Sequence, residues 1–243
     1  MSSCEVTELG FKFDRQWMLV DNSNRFLSQR ELPQMSLFAC ELGKDSVIVK
    51  FKEHTTEVPF NNYTDVSSEV SIWDHQVQAN EVSTRLSAWF SEHLEHNCKL
   101  VTVGKNYNRI KAFSIPPFKS KVSFADGYPV MILGTASLEL LNSKLTDPVG
   151  FDRFRPNIVV QTNRAHEEDS WEYVQTGTAR LKIIKPCARC IITTIDQSNG
   201  TKGKEPLRTL STYRKESNNV LFGANAIMHE YGVINNTDKI TLL

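Results

Sequence analysis

A chain of 243 residues is long enough to bury one large β core or two small ones. Its 28 basic and 28 acidic residues cancel, which excludes a global pull toward nucleic acid or anionic membrane, so any anion site has to be local. No apolar run reaches the length of a membrane span, Met1-Ser2-Ser3-Cys4-Glu5-Val6 carries no signal pattern, and an odd count of five cysteines fits a reducing, cytoplasmic setting.

In chain order, Phe11 to Val20 alternates apolar and polar residues and predicts a strand. Arg15 falls on the same side of it as Phe11, Phe13, Trp17 and Leu19. Asp21-Asn22-Ser23-Asn24 is a dense turn signal, and Arg25 to Arg30 is expected to return as its hairpin partner. Short strands follow at Ser36 to Cys40, Ser46 to Phe51 and Val70 to Trp73. From Asn80 to Leu94 the spacing turns helical: Val82, Leu86, Trp89, Phe90 and Leu94 share a face, with Asn80 as the N-cap. His93, His96 and Cys98 close this helix as a conceivable metal set, although histidine is favoured at a helix C-terminus on electrostatic grounds alone.

Leu100 to Val103 predicts another strand, and Ser114-Ile115-Pro116-Pro117-Phe118 a loop and domain boundary. The apolar Val130-Met131-Ile132-Leu133 leads into a helix capped by Thr135, with Leu138, Leu141 and Leu145 on one face. Ile158-Val159-Val160 reads as a buried strand and Glu167-Glu168-Asp169-Ser170-Trp171 as a polar loop, with Trp171 a packing residue. Pro206 is placed to open a short helix carrying Leu207, Leu210 and Tyr213. Val220 to Ala226 and Lys239 to Leu242 complete a set of many short strands with few helices, the pattern of a β-rich barrel.

The stretch with chemistry in it is Lys185-Pro186-Cys187-Ala188-Arg189-Cys190-Ile191. A strand-like run from Ala179 to Ile184 enters it, and a β-branched run from Ile191 to Ile195 is expected to leave it as a second strand. Pro186 donates nothing to a ladder and belongs at an edge or a strand end. Two thiols and a guanidinium are thereby presented together, and a thiolate is both a nucleophile and a soft metal ligand. The pair alone leaves open two inert buried cysteines, a zinc site and a redox couple. Zinc lacks a second ligand pair here, and a thioredoxin-like couple expects the motif to open a helix.

Several stretches together resemble one family. Phe13-Asp14-Arg15-x-Trp17-Met18-Leu19-Val20-Asp21 and Ser28-Gln29-Arg30-x-x-Pro33-x-Met35 resemble the N-terminal β-barrel that precedes a MOSC domain, the molybdenum cofactor sulfurase C-terminal domain. Phe124 to Pro129, Phe154-Arg155-Pro156-Asn157, Glu168-Asp169-Ser170-Trp171, Lys185 to Cys190, Asp196, and Glu205-Pro206-Leu207-x-Thr209-Leu210 resemble the MOSC domain itself. The subgroup with the nearest pattern is the amidoxime-reducing component and its bacterial relatives. The resemblance implies a mainly β fold with a few helices, as an N-terminal MOSC-associated β-barrel over residues 1–117 and a MOSC β-barrel over 118–243.

It also implies the molybdenum cofactor, molybdenum held on molybdopterin. Cys190 matches the protein ligand to the metal and is the expected catalytic residue, while Cys187 carries no ligand role and is either structural or thiol-reactive. Arg15, Arg155, Asn157, Ala188 and Arg189 match cofactor-holding positions. Gly127, Tyr128 and Asn225 match cofactor-contact positions. The expected activity is reduction of small N-hydroxylated compounds, with pyridoxal phosphate binding a property known only for the family as a whole. The alternative is a non-catalytic carrier of the cofactor or of a persulfide on Cys190.

Two departures from the family pattern matter. The family's opening strand with a Pro-Val-Lys-Ser motif has no counterpart in Ser2-Ser3-Cys4, so the expectation is either a truncated or misassigned start or weakened cofactor binding, and a missing first strand predicts an unpaired barrel edge. No plant-type ferredoxin cysteine run follows the MOSC stretch, so electrons are expected from a separate ferredoxin, or from a cytochrome b5-type protein with its reductase. Neither nucleic acid nor a membrane span is expected.

Overall fold

The computed structural model describes residues 2–113 and 119–243. The loop expected at Ser114 to Phe118, and the boundary drawn between 117 and 118, lie outside the described residues. The fold is mainly β. In chain order its elements are β1 (Ser3–Thr7), β2 (Gly10–Phe11), β3 (Trp17–Val20), β4 (Ala39–Leu42), β5 (Ser46–Phe51), β6 (His54–Pro59), β7 (Ser67–Ile72), β8 (His75–Glu81), α1 (Thr84–Leu94) and β9 (Lys99–Thr102). Then come β10 (Ile110–Ala112), β11 (Lys119–Lys121), β12 (Val130–Gly134), α2 (Thr135–Asn142), β13 (Ile158–Val160), β14 (Tyr173–Thr176) and β15 (Ala179–Arg189). The last are α3 (Leu207–Ser211), β16 (Lys215–Glu216), β17 (Asn219–Glu230), β18 (Gly232–Asn235) and β19 (Ile240–Leu242).

These elements form two compact units. The sheet unit comprises Met1–Asp14, Ile110–Thr194 and Gly203–Leu243; the hairpin unit comprises Arg15–Arg109 and Ile195–Lys202. The hairpin unit holds a four-stranded sheet, β3-β9-β8-β7, and a three-stranded sheet, β4-β5-β6. Leu19, Val49, Val58, Leu86, Phe90, Leu94 and Leu100 are buried together in its core. Phe38 lies 4.7 Å from Phe51 and 5.2 Å from Phe90, ring centre to ring centre, within the range of favourable aromatic pairing.

β5 spans the residues its alternation predicts. Three other expectations in or beside this unit are corrected. The strand expected from Phe11 to Val20 is broken, because Phe13 and Arg15 are left-handed (φ 69° and 51°). Arg15 therefore sits in a turn rather than on a strand face. The helix begins at Thr84, not Asn80: Ser83 is extended and its Oγ accepts from Leu86 N–H at 3.1 Å, while Asn80 pairs with Thr102 in β8–β9. Arg25 to Arg30 contributes single bridges, Val20 to Phe26 and Arg25 to Ser71, rather than a return strand.

The sheet unit centres on a seven-stranded sheet, β13-β12-β17-β15-β14-β19, with β16 added on β17. Both faces are covered. Val130 and Ile132 pack with Leu181, Ile183, Ala224 and Ala226, whereas Met131 and Leu133 pack with Leu138 and Leu141 of α2, Phe154, Leu210 of α3 and Phe222. Burial on both faces is the reason this strand reads as a continuous apolar run. The β-branched run after Cys190 is a 3₁₀ turn, Ile191–Thr194, and not the expected strand. Its hydroxyls close on local carbonyls: Thr193 Oγ1 donates to Cys190 O at 2.9 Å and Thr194 Oγ1 to Ile191 O at 2.8 Å. Among the described residues, no helix is long and apolar enough to cross a membrane.

Candidate functional site around Cys190

β15 delivers the cysteine stretch. β14 pairs with it as far as Lys182, and beyond that point β17 is its strand partner. Pro186 therefore lies where one flank of β15 has no ladder to break, as a residue without an N–H requires. The β15–β17 register shifts between Ile183 and Lys185 and again between Pro186 and Ala188. In the second shift, two steps on β15 face three on β17, from Ala224 to Leu221. The extra residue is accommodated at Gly223, whose φ of +76° suits glycine.

Cys187 and Arg189 stand two apart on this strand and share a face. Arg189 Nη1 donates to Cys187 Sγ at 3.1 Å, and Nη2 donates to Phe154 O at 2.8 Å. The guanidinium carbon is 5.5 Å from the centre of the Phe154 ring. Arg189 Nε is buried with no hydrogen-bond partner. Cys190 follows at the strand end, half-buried, and its carbonyl accepts from Thr193 N–H at 3.1 Å.

Phe154 belongs to a tight turn. Phe154 and Arg155 both donate their N–H to Phe151 O, and Arg155 is left-handed (φ 53°). Asn157 then clasps β12: its N–H donates to Met131 O at 2.8 Å and its Oδ1 accepts from Met131 N–H at 3.0 Å. Its Nδ2 donates to Asp14 Oδ2 at 2.9 Å. Met131 is registered with Asn225 on β17, and Asn225, which is buried, is registered with Lys185 on β15. The sheet unit thus links Arg155, Asn157, Ala188, Arg189, Cys190 and Asn225 through β12, β17 and β15.

Gly127 and Tyr128 lie on the approach to β12. A Cβ added at Gly127 meets no atom within 4 Å, so space is open there. The Tyr128 ring is stacked on Phe113 at 4.7 Å, with Lys185 Nζ 5.7 Å from its centre. Arg15 belongs to the hairpin unit and is not gathered by the sheet unit.

The residues 93, 96 and 98 part company. His93 packs against Trp89, Phe51 and His54, and Cys98 Sγ lies 3.6 Å from Ser91 Oγ. Among the described residues, no group of three or more His, Cys, Asp or Glu side chains is arranged to hold a metal ion.

A second polar cluster draws on Glu168 and Asp169, which the family pattern includes without a site role, and on His166, Tyr213 and Arg214, which it leaves out. Glu168, in the stretch read as a polar loop, is fully buried and accepts from Ser137 Oγ at 2.8 Å. Asp169 Oδ2 accepts from Arg214 Nη2, while burial still pushes the Asp169 carboxyl above its ordinary range. Beside it, both ring nitrogens of His166 and the Tyr213 hydroxyl are buried without hydrogen-bond partners. Burial, with the Arg214 charge second, lowers the His166 pKa to about 4. Phe154 and Asp14 also lie outside the set of site residues that the sequence pattern points to. A backbone carbonyl, the atom Phe154 contributes, leaves no mark on residue type, whereas Asp14 is marked by its neighbours Phe13 and Arg15.

The MOSC domain family matches residues 119–241, and the MOSC N-terminal beta barrel domain family matches residues 1–97. The chain belongs to the MOSC domain family. This MOSC chain is 29% identical to mitochondrial amidoxime-reducing component 1 of Danio rerio, over 96% of the chain and 77% of that protein. It is 31% identical to mitochondrial amidoxime reducing component 2 of Bos taurus, over 88% of the chain and 67% of that protein. It is 27% identical to molybdenum cofactor sulfurase of Oryza sativa subsp. japonica, over 92% of the chain but 30% of that protein.

Proposed function

We propose that this MOSC chain binds a pterin-held molybdenum in the sheet unit and reduces N-hydroxylated compounds with electrons from a separate protein of ferredoxin or cytochrome b5 type. The observation that carries the reading is the half-buried Cys190 thiol at the end of β15, next to a guanidinium with a buried, unpaired N–H. That donor set suits the group: a soft sulfur for the metal, and a forked cation for phosphate or dithiolene sulfur. The open space at Gly127 supports it as well. When bound, the molybdenum supplies two-electron removal of oxygen from an N–O bond, chemistry that no side chain provides.

The chain's own residues bind and orient. Cys190 is the metal ligand. Arg189 and Arg155 neutralise the anionic parts of the pterin, and Arg15, from the N-terminal region, is assigned the same role. Ala188 contributes backbone, Asn157 fixes the Arg155 turn against β12, and Asn225, Gly127 and Tyr128 complete the wall. The domain assignment that goes with this is 1–117 as the N-terminal barrel region and 118–243 as the cofactor domain.

The test is metal content and benzamidoxime reduction, with a chemical or protein electron donor, for chain expressed in a cofactor-competent host. The expected result is stoichiometric molybdenum and turnover, both lost in Cys190→Ala. Metal-free wild-type chain, or full activity in Cys190→Ala, overturns the proposal. Tight cofactor binding with no turnover by any donor favours the carrier reading.

A further inference from the structure

Cys187 has no part in that reading, yet its sulfur is hydrogen-bonded to Arg189. Nη1 of that arginine is tied to Cys187 Sγ at 3.1 Å and Nη2 to Phe154 O at 2.8 Å. A guanidinium is planar and rigid, so two anchored nitrogens fix the direction of the third. The third is Nε, which is buried and has no hydrogen-bond partner. An unpaired N–H on a permanently charged group is costly, and packing alone gives no reason to keep it so. The strand geometry explains how the arrangement is held. Cys187 and Arg189 share a face of β15, and the register shift opposite them falls between Pro186 and Ala188.

We infer that Cys187 is a positioning residue: its sulfur and the Phe154 carbonyl hold Arg189 so that the Nε–H is reserved for an anionic oxygen or sulfur of the group bound beside Cys190. The inference rests on the reading of Cys190 as the ligand of a pterin-held molybdenum. A simpler role exists, since Cys187 also packs against the buried cluster of Met131, Leu133, Phe154 and Phe222. The two roles predict different orders among substitutions. For packing, serine is no better than alanine and valine is best. For positioning, serine keeps an acceptor for Nη1, whereas alanine and valine do not.

The experiment compares wild type, Cys187→Ala, Cys187→Val and Cys187→Ser, each expressed in a cofactor-competent host. Molybdenum retained per chain after dialysis is measured alongside the thermal midpoint of the metal-free protein. Cys187→Ala and Cys187→Val are expected to retain about tenfold less metal, as is usual when a residue that orients a ligand is removed, and Cys187→Ser to stay within about twofold of wild type. Equal retention in wild type and Cys187→Val, or serine no better than alanine, overturns the inference and leaves the proposed function standing. Wild-type chain without molybdenum instead overturns the proposed function, and this inference with it.

Discussion

The two units pair their strands differently. In the hairpin unit, β5 and β6 match six successive residue pairs from Ser46–Pro59 to Phe51–His54, and β7 and β8 match six from Ser67–Asn80 to Ile72–His75, without a shift. In the sheet unit, β15 and β17 shift register three times, and the last two shifts flank Lys185 and Pro186. An unbroken ladder satisfies every backbone group but forces strict alternation of side chains. A bulge gives up a ladder position and re-aims the side chains beyond it. The interiors do not share this contrast. Both units pack rings on rings, and both leave buried polar atoms without hydrogen-bond partners: on Asn24, Ser36 and His93 in the hairpin unit, and on His166, Asp169, Arg189 and Tyr213 in the sheet unit. Regular register goes with the hairpin unit, and the register shifts fall in the sheet unit, beside Cys187, Arg189 and Cys190.

The largest effect is expected from emptying the hairpin core. Phe90 is 6% exposed, packed on Phe38 and Trp89. Phe90→Ala should destabilise the chain by about 3–5 kcal/mol in urea unfolding, from lost transfer free energy plus an unfilled cavity. A loss below about 1 kcal/mol would mean that this core is not close-packed.

Next is the bulge itself. A Cβ at Gly223 would stand 2.4 Å from Met131 Cε and 2.8 Å from Ile132 O, at a φ of +76°. Gly223→Ala should cost about 3 kcal/mol, combining left-handed strain with a clash against backbone. Gly127→Ala is the control: nothing lies within 4 Å of its Cβ, so its thermal midpoint should match wild type. If Gly223→Ala is also neutral, the register shift is not fixed by this residue.

The polar cluster sharpens the comparison through pH. His166 is held neutral in the folded chain, its pKa lowered from 6.5 to about 4 by burial and then by Arg214. Between those values the unfolded chain binds a proton that the folded chain refuses. Stability attributable to His166 is therefore complete above about pH 6.5 and falls as the pH drops toward 4, by on the order of 2 kcal/mol. Asp169 works in the opposite sense. Its carboxyl is raised above 3.8, so the folded chain takes up a proton first and regains some stability as the pH falls toward that value. The other groups of the cluster are Glu168, Lys144, Tyr213 and Arg214, and of these Tyr213 is raised by burial, far from the acid range. His166→Phe should flatten the slope of unfolding free energy between pH 6.5 and 4. An unchanged slope would assign the acid sensitivity to other groups.

Legibility in the sequence divides along the same line. β5 and β13 start and end where alternation and apolar character place them, because local pattern decides a strand whose ladder is regular, but β13 is not the buried strand its residues suggest, since Val159 is 46% exposed. The break after Phe11 is not legible, since Phe13 and Arg15 are left-handed without being glycine or asparagine. The turn after Cys190 misleads for a related reason. Ile191 to Thr194 has strand propensity, but two threonine hydroxyls satisfy the carbonyls of Cys190 and Ile191 and remove the need for a ladder there. The Cys187–Arg189 contact is half legible: spacing puts the two on one face of a strand, and the motif names them. Its third member, the Phe154 carbonyl, is backbone and needs coordinates. His166 is invisible for the same reason, since its importance comes from burial.

The smallest effect concerns where α1 begins, which the helical spacing alone assigns to Asn80. In the structure Asn80 is a strand residue whose Nδ2 donates to Thr64 O at 3.2 Å, and the cap is Ser83. Ser83 Oγ satisfies one of the N–H groups that a helix start leaves without a partner, that of Leu86, and Leu86 is 1% exposed. Ser83→Ala should therefore cost about 1 kcal/mol, and Ser83→Asp should recover it, because aspartate accepts the same bond and its charge suits the N-terminal end of the helix dipole. Asn80→Asp separates the two assignments. If Asn80 were the cap, aspartate would serve there equally well, but in the strand it loses the amide donor to Thr64 O and is destabilising. A stable Asn80→Asp together with a neutral Ser83→Ala would move the helix start back by a full turn and draw β8 to an earlier end.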